Sequence, residues 1–239
     1  MLTKRFRMFC GPNGSGKSTL IEEINKNYKL GYFINADVIK NKLDTHHFLK
    51  SSDFCSTIIT HEEWKAFLDD FKKDDRVQNF DSKLFIENNI IVCKSQINSY
   101  EAALLATFFR HKLIKEKTTF SFETVMSHPS KVTFIDQAKK AGFKTYLYFV
   151  CTQDPDINKQ RVLNRVKKGG HAVNEEKIVA RYYRSLNLLY DAFQLSDRAF
   201  VLDSSNQKRN LIVEKKKDTI HVREQNIPEW VATYLLDRY

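Results

Sequence analysis

Met8-Phe9-Cys10-Gly11-Pro12-Asn13-Gly14-Ser15-Gly16-Lys17-Ser18-Thr19-Leu20-Ile21 passes from an apolar run through a glycine-rich turn into an amphipathic segment. The spacing Gly11-x-x-x-x-Gly16-Lys17-Ser18 is that of a phosphate-binding loop. Glycines let backbone N–H groups turn inward around a β-phosphate. A lysine at this position reaches the β- and γ-phosphates, and the hydroxyl that follows is a ligand for Mg²⁺. A helix starting at the loop aims its positive end at the same anion. A chance glycine-rich turn would lack the strand before and the helix after, and this stretch has both patterns. Gly11, Pro12, Asn13, Gly14, Ser15, Gly16, Lys17, Ser18 and Thr19 are therefore the candidate nucleotide-binding residues. ATP and Mg²⁺ are the expected cofactors, with Ser18 the metal ligand.

Working outward, Thr3–Cys10 reads as the strand entering the loop and Ser18–Asn27 as the helix leaving it, with Leu20, Ile21 and Ile24 inward. Tyr32–Ile34, Thr118–Phe122, Thr145–Thr152 and Ala199–Asp203 are further strands. Lys131–Lys140, Asp156–Lys168 and Glu175–Leu195 are helices between them. Gly142 suits the left-handed residue after a helix, and Asn174 suits an N-cap. Strand and helix alternate, and Thr145–Thr152 is almost wholly apolar, so a parallel sheet with helices on both faces is expected, an α/β fold of the P-loop NTPase type. The organisation expected is a single domain over 1–239. Residues 44–98 form an insertion, with a polar helix around Glu62–Lys73 and a hairpin, Lys83–Lys94, turning at Asn88-Asn89. Ser99–Lys115 is a returning helix, and residues 206–239 add a terminal hairpin and a short helix.

Composition bounds the class. The chain has 239 residues, 42% hydrophobic and 28% charged, with 18 Phe and 10 Tyr, enough to fill a core without disulfides or a structural metal. Cys10, Cys55, Cys93 and Cys151 form no Cys-x-x-Cys pair, and Cys10 and Cys151 lie in apolar runs where a thiol acts as a small hydrophobe. No apolar run reaches the ~18 residues of a membrane span, and the N-terminus lacks a signal-peptide pattern. A reduced, cytoplasmic protein with no membrane partner is expected. The net charge of +10 attracts anions, and residues 158–184 hold a concentrated share of the cations.

Three further features carry chemistry. Asp37, after the second strand, is expected on the rim outside the strand ends, where ligands of such sheets bind. There it accepts a proton from an attacking hydroxyl or helps hold the metal, or else it caps the helix expected from Val38. Glu123, after the third strand, is expected on the same rim, either ligating metal-bound water or a substrate hydroxyl or serving as a capping carboxylate. Arg161, Arg165 and Lys168 fall at i, i+4 and i+7 on one helical face ahead of Gly169-Gly170-His171. A basic helix ending in a glycine joint has the form of a lid that brings Arg161 and Arg165 onto a transferring phosphoryl group. The alternative is an exposed basic helix. His128, before Pro129, reads as a loop residue.

Gly11–Thr19, Asn35-Ala36-Asp37, Phe122-Glu123-Thr124-Val125-Met126-Ser127 and Arg161-Val162-Leu163-Asn164-Arg165-Val166 leading to Gly169-Gly170-His171 together resemble the zeta-toxin family of P-loop kinases. The likeness continues through Arg181-Tyr182 and Arg184-Ser185-Leu186 and covers about 1–43 and 99–205. It implies an ATP-dependent kinase acting on a sugar hydroxyl of a nucleotide sugar, typically UDP-N-acetylglucosamine, as the toxin of a toxin–antitoxin pair with an antitoxin protein as partner. By that resemblance Asp37 takes the general-base position, and Lys17, Arg161 and Arg165 stabilise transferred charge. Asn35, Asp37 and Thr124 meet the substrate, Glu123 binds substrate or organises the metal site, and His171 and Arg181 sit in or behind the lid. This chain has Asp203-Ser204-Ser205 where the family often has Asp-Asn-Ser, and residues 44–98 match no family motif. Two other readings stand beside it. The charge suggests a polynucleotide end kinase, and the insertion suggests a nucleotide-dependent interaction protein.

Overall fold

A computed structural model describes residues 3–71, 82–170 and 172–239. The chain runs β1 (Arg5–Cys10), α1 (Lys17–Asn27), β2 (Tyr32–Ile34), α2 (Ala36–His46), β3 (Phe48–Lys50), α3 (His61–Phe71), β4 (Leu84–Glu87), β5 (Ile90–Cys93) and α4 (Ser99–Lys115). It continues through β6 (Phe120–Thr124), α5 (Ser130–Lys140), β7 (Lys144–Cys151), α6 (Pro155–Lys167), α7 (Glu175–Asn187), α8 (Leu189–Leu195), β8 (Arg198–Asp203), β9 (Asn210–Lys216), β10 (Thr219–Val222) and α9 (Glu229–Tyr234). Two compact units emerge, residues 1–30 with 121–239, and Gly31–Phe120.

In the first unit the strand order is β10-β9-β8-β7-β1-β6. β1 and β8 pair with β7 in parallel, and β9 and β10 extend the sheet antiparallel as the expected terminal hairpin. The sheet is mostly parallel with helices on both sides, the α/β P-loop arrangement. Phe6, Met8, Leu147 and Phe149 are fully buried, and Phe6, Phe122 and Phe134 form an aromatic cluster beneath α5. Gly142 has φ +87° just after α5, and Asn174 caps α7 by accepting from the Lys177 N–H at 3.1 Å, both as the sequence suggests. The expected single helix Glu175–Leu195 is instead two, α7 and α8, separated at Leu188. Leu188 keeps near-helical angles, φ −94° and ψ −3°, so the apolar period runs through the break and hides it.

The second unit holds a three-stranded antiparallel sheet, β3-β5-β4, with α2, α3 and α4. Asn88 and Asn89 both have positive φ, 49° and 63°, the signature of a two-residue hairpin turn whose twist matches its strands. β3 carries too short an apolar run to be seen in the sequence. The helix expected as polar is amphipathic: Trp64 and Leu68 of α3 are buried, and Trp64 meets Phe108 of α4 edge to face. Lys72 and Lys73, at that helix's expected end, lie outside the described residues. α4 opens with a capping box, Asn98 and Glu101 each satisfying the other's backbone N–H.

Candidate active site

The loop between β1 and α1 closes tightly against its surroundings. Gly11 has φ +135°, and a Cβ there would lie 1.9 Å from the Val150 carbonyl oxygen. Gly14 has φ +78°, and its Cβ would lie 2.6 Å from the Asn158 carbonyl oxygen. The cradle is therefore one only glycine can line. Lys17 is 7% exposed. Its ammonium donates to the carbonyls of Gly11 at 3.0 Å and Pro12 at 2.9 Å and lies 3.9 Å from Glu123 Oε1. The buried Ser15 hydroxyl and Asn13 side-chain oxygen have no hydrogen-bond partner among the described residues, polar atoms of the kind that ligand or water satisfies at a phosphate site. Burial pushes the Cys10 and Cys151 thiols well above their usual range, so neither is a nucleophile.

Glu123 is in β6 rather than beyond it, and β6 lies next to β1 in the sheet. Next to it, Thr124 Oγ1 accepts from the Met126 N–H at 3.3 Å. Met126 is fully buried with φ +57°, a left-handed conformation that costs a bulky residue energy and persists because packing imposes it. The turn it makes follows directly on the Glu-Thr pair. His128 accepts from the Ser130 N–H at 3.2 Å at the start of α5, which fits a loop residue.

A second layer fixes the loop from behind, and the sequence reading missed it. Asn158 of α6 is fully buried. Its amide donates to the Asn13 carbonyl at 2.6 Å, and its oxygen accepts from Thr152 Oγ1. Tyr182 of α7 donates to the Thr152 carbonyl at 2.6 Å. Ser204, after β8, donates to the Ser15 carbonyl at 2.7 Å. Asp203 accepts from Trp230 Nε1 and from the Ser205 N–H, each at 2.9 Å, tying α9 to the same corner. Asn158 and Ser204 have no motif signal because their partners lie 145 and 189 positions away.

Arg161 is central to this layer. Its guanidinium donates to the Ser204 hydroxyl at 3.3 Å and to the carbonyls of Ser204 at 2.6 Å, Ser205 at 3.3 Å and Asn206 at 3.5 Å. It stands between two clefts. One, of about 820 Å³, lies beside Gly14, Gly16 and Thr19 and is walled by Leu202, Asn206, Arg209 and Leu211. The other, of about 430 Å³, is lined by Arg165, Asn164, Lys168, Gly169 and Gly170. His171 lies outside the described residues.

Asp37 and Asn35 belong to the second unit. The cap of α2 is Asn35, whose side chain accepts from the N–H groups of Asp37 at 2.8 Å and Val38 at 3.2 Å. The helix begins at Ala36, so the reading of Asp37 as a cap for a helix from Val38 is corrected. Asp37 sits one residue into the first turn, where a carboxylate complements the dipole. Among the described residues no group of three or more His, Cys, Asp or Glu side chains is placed to hold a metal. The hydroxyl of Ser18 and the carboxylate of Glu123 are hard oxygen donors that suit Mg²⁺, an ion usually bound by one or two protein ligands together with substrate phosphates and water.

A curated relative, an uncharacterized protein of Haemophilus influenzae, is 24% identical over 174 residues, covering 73% of this chain and 89% of its own length. Among solved structures, a chain of the AvrRxo1-ORF1:AvrRxo1-ORF2 complex with sulphate ions has a TM-score of 0.58 at 15% identity, over 92% of this chain and 61% of that one. The same pair has also been crystallised with ATP. A chain from the PezAT chromosomal toxin–antitoxin system of Streptococcus pneumoniae gives a TM-score of 0.55 at 13% identity, over 100% of this chain and 81% of that one. These structures share the fold, and this chain spans about three fifths of the AvrRxo1 chain. The sequence profile of the AAA domain matches residues 7–189, a stretch that takes in the loop, Glu123 and Arg161, and the chain belongs to that family.

Proposed function

We propose that this protein is an ATP-dependent kinase that transfers the γ-phosphoryl group to a sugar hydroxyl of a nucleotide sugar, with UDP-N-acetylglucosamine as acceptor. The observation that carries the reading is the Lys17 ammonium, held by the Gly11 and Pro12 carbonyls and 3.9 Å from the Glu123 carboxylate. A loop built only to bind a nucleotide needs the lysine. A carboxylate on the neighbouring strand is what phosphoryl transfer adds, because it would help hold the metal ion that offsets phosphate charge.

In the reaction the acceptor hydroxyl oxygen bonds to the γ-phosphorus while the bond from that phosphorus to the β–γ bridging oxygen breaks, leaving ADP. Asp37 takes the hydroxyl proton, and Asn35 and Thr124 contact the acceptor. Lys17 and Arg165 neutralise charge on the transferring oxygens. Arg161, through its ties to residues 204–206, holds the loop's floor. Ser18 and Glu123 would hold Mg²⁺, which would supply positive charge to offset that developing on the phosphates. The motif resemblance supports the nucleotide-sugar acceptor. The fold shared with a chain from a toxin–antitoxin system supports an antitoxin protein as partner.

The test is ³¹P NMR of the products from ATP, Mg²⁺ and UDP-N-acetylglucosamine. The wild type is expected to give ADP and one new phosphomonoester resonance. Asp37→Ala is expected to lower kcat by about 10²–10⁴-fold with ATP binding retained. Unchanged kcat in Asp37→Ala removes that residue from the base role. ADP without a phosphomonoester removes this acceptor.

A further inference from the structure

The two faces of the first unit's sheet are built differently. One buries Phe6, Met8, Leu147, Phe149, Ala199 and Val201 completely, with α5 and α8 packed on β7 and Trp230 of α9 against Phe149. On the face that carries α1, one cross-strand row is Arg7, Tyr146 and Arg198, and the next is Phe9, Tyr148 and Phe200. The second row is a stack, with ring centroids 4.8 and 4.9 Å apart. Central parallel strands ordinarily carry aliphatic side chains on both faces, so arginines and tyrosines here depart from what packing alone asks.

Beside Leu20 and Ile24 of α1, and Tyr28 just beyond it, this face opens into a groove of about 470 Å³. Tyr146 and Phe200 are half-buried, and Arg5 is exposed. Lys144, in register with Arg5, and Lys216, in register with Arg198, are exposed on the same face as a rim. The groove's lining includes Arg5, Arg7 and Arg198 and no carboxylate. The one carboxylate in register with the aromatic row is Glu214, opposite Phe200. It is taken by Arg198 and Arg223, each at 2.7 Å. Cations already lie over the rings, Arg7 at 5.3 Å from the Tyr146 centroid and Arg198 at 5.2 Å from that of Phe200.

We propose that this face binds single-stranded nucleic acid at a site separate from the phosphate loop. Phe9, Tyr148 and Arg7 are buried and form the floor. The half-buried Tyr146 and Phe200 rings and the Arg198 guanidinium are the part of this face on which unpaired bases stack, and flanking cations follow the phosphates. The rim cations run from β1 to β9, three strand spacings or about 14 Å. That breadth suits several phosphates in succession rather than one nucleotide. A duplex hides its base faces and would leave the rings unused.

The experiment is fluorescence anisotropy of a labelled oligouridylate of about twelve nucleotides with the intact protein, in saturating ATP so that the phosphate loop is filled. Binding is expected to fall with salt between about 50 and 200 mM, at about −0.7 in log–log slope per phosphate neutralised. Tyr146→Ala is expected to weaken binding about tenfold. Lys144→Glu with Lys216→Glu is expected to weaken it and to flatten the slope by about 1.4. Both variants should keep the wild-type ATP turnover, and the double lysine variant the wild-type unfolding temperature. Salt-independent binding, or binding that neither variant alters, overturns the proposal. So does tighter binding of a polyglutamate peptide of equal length, which would assign the face to an acidic protein segment.

Discussion

Arg161 and Arg165 lie one helical turn apart on α6. The Arg161 fork is spent on the Ser204 hydroxyl and on three successive main-chain carbonyls. Arg165 instead lines the open cleft with Lys168 and Gly170. Losing a charged donor that satisfies several carbonyls costs about 2 kcal/mol. Arg161→Ala is therefore expected to lower stability by that amount in urea unfolding and to weaken ATP binding with it. Arg165→Ala is expected to lower kcat by removing a cation from that cleft. Unchanged stability in Arg161→Ala would mean that Arg161 does not tie residues 204–206 to the loop. Spacing made both arginines legible as one stripe, but it could not separate them, because the partners of Arg161 lie 43–45 positions away.

At the scale of elements, α4 ends against the segment that leads into α3. Glu116, just beyond α4, accepts from the Ser56 N–H at 3.2 Å, the Ser56 hydroxyl at 2.7 Å, the Thr57 N–H at 3.2 Å and the Thr57 hydroxyl. Burial alone would raise its pKa. The hydrogen bonds from Thr57 and Ser56 outweigh that and hold the carboxyl below its ordinary value. A depressed folded pKa contributes stability that is fully present above the unfolded value, about 4.3 for Glu, and lost as pH falls through the folded one. The unfolding-temperature gap between wild type and Glu116→Gln is thus expected to be largest at neutral pH and to close in acid. A gap independent of pH would place the effect in packing rather than in the charge. The helix of α4 is legible in the sequence as the returning helix Ser99–Lys115. Its clasp on residues 56–57 was not, because nothing local marks a carboxylate whose donors lie 59 and 60 positions upstream.

For the whole molecule, legibility divides along the two units. In the first, β1, α1, β7 and β8 follow from an apolar run, a glycine-rich turn and a second unbroken apolar run. A strand covered on both faces leaves so simple a trace that the order of elements can be read directly. The second unit is drawn as an insertion at 44–98, whereas the compact body is Gly31–Phe120 and takes in α2 and α4 as well. Its limits are set by packing between helices distant in sequence, which periodicity does not report. The same division holds for chemistry. The donor half of the site, Gly11–Thr19 with Glu123, is contained in the first unit. Asp37, proposed to act on the acceptor, is carried by the second.

The central claim is that the loop serves transfer and not binding alone. It is tested most directly by incubating the protein with Mg²⁺, γ-labelled ATP and a small-metabolite extract, then following the label by chromatography and mass spectrometry. The expected result is label in one phosphorylated small molecule, matching phosphorylated UDP-N-acetylglucosamine, and its disappearance with Lys17→Ala. Label recovered only as inorganic phosphate, or in a product that Lys17→Ala still makes, would contradict the account.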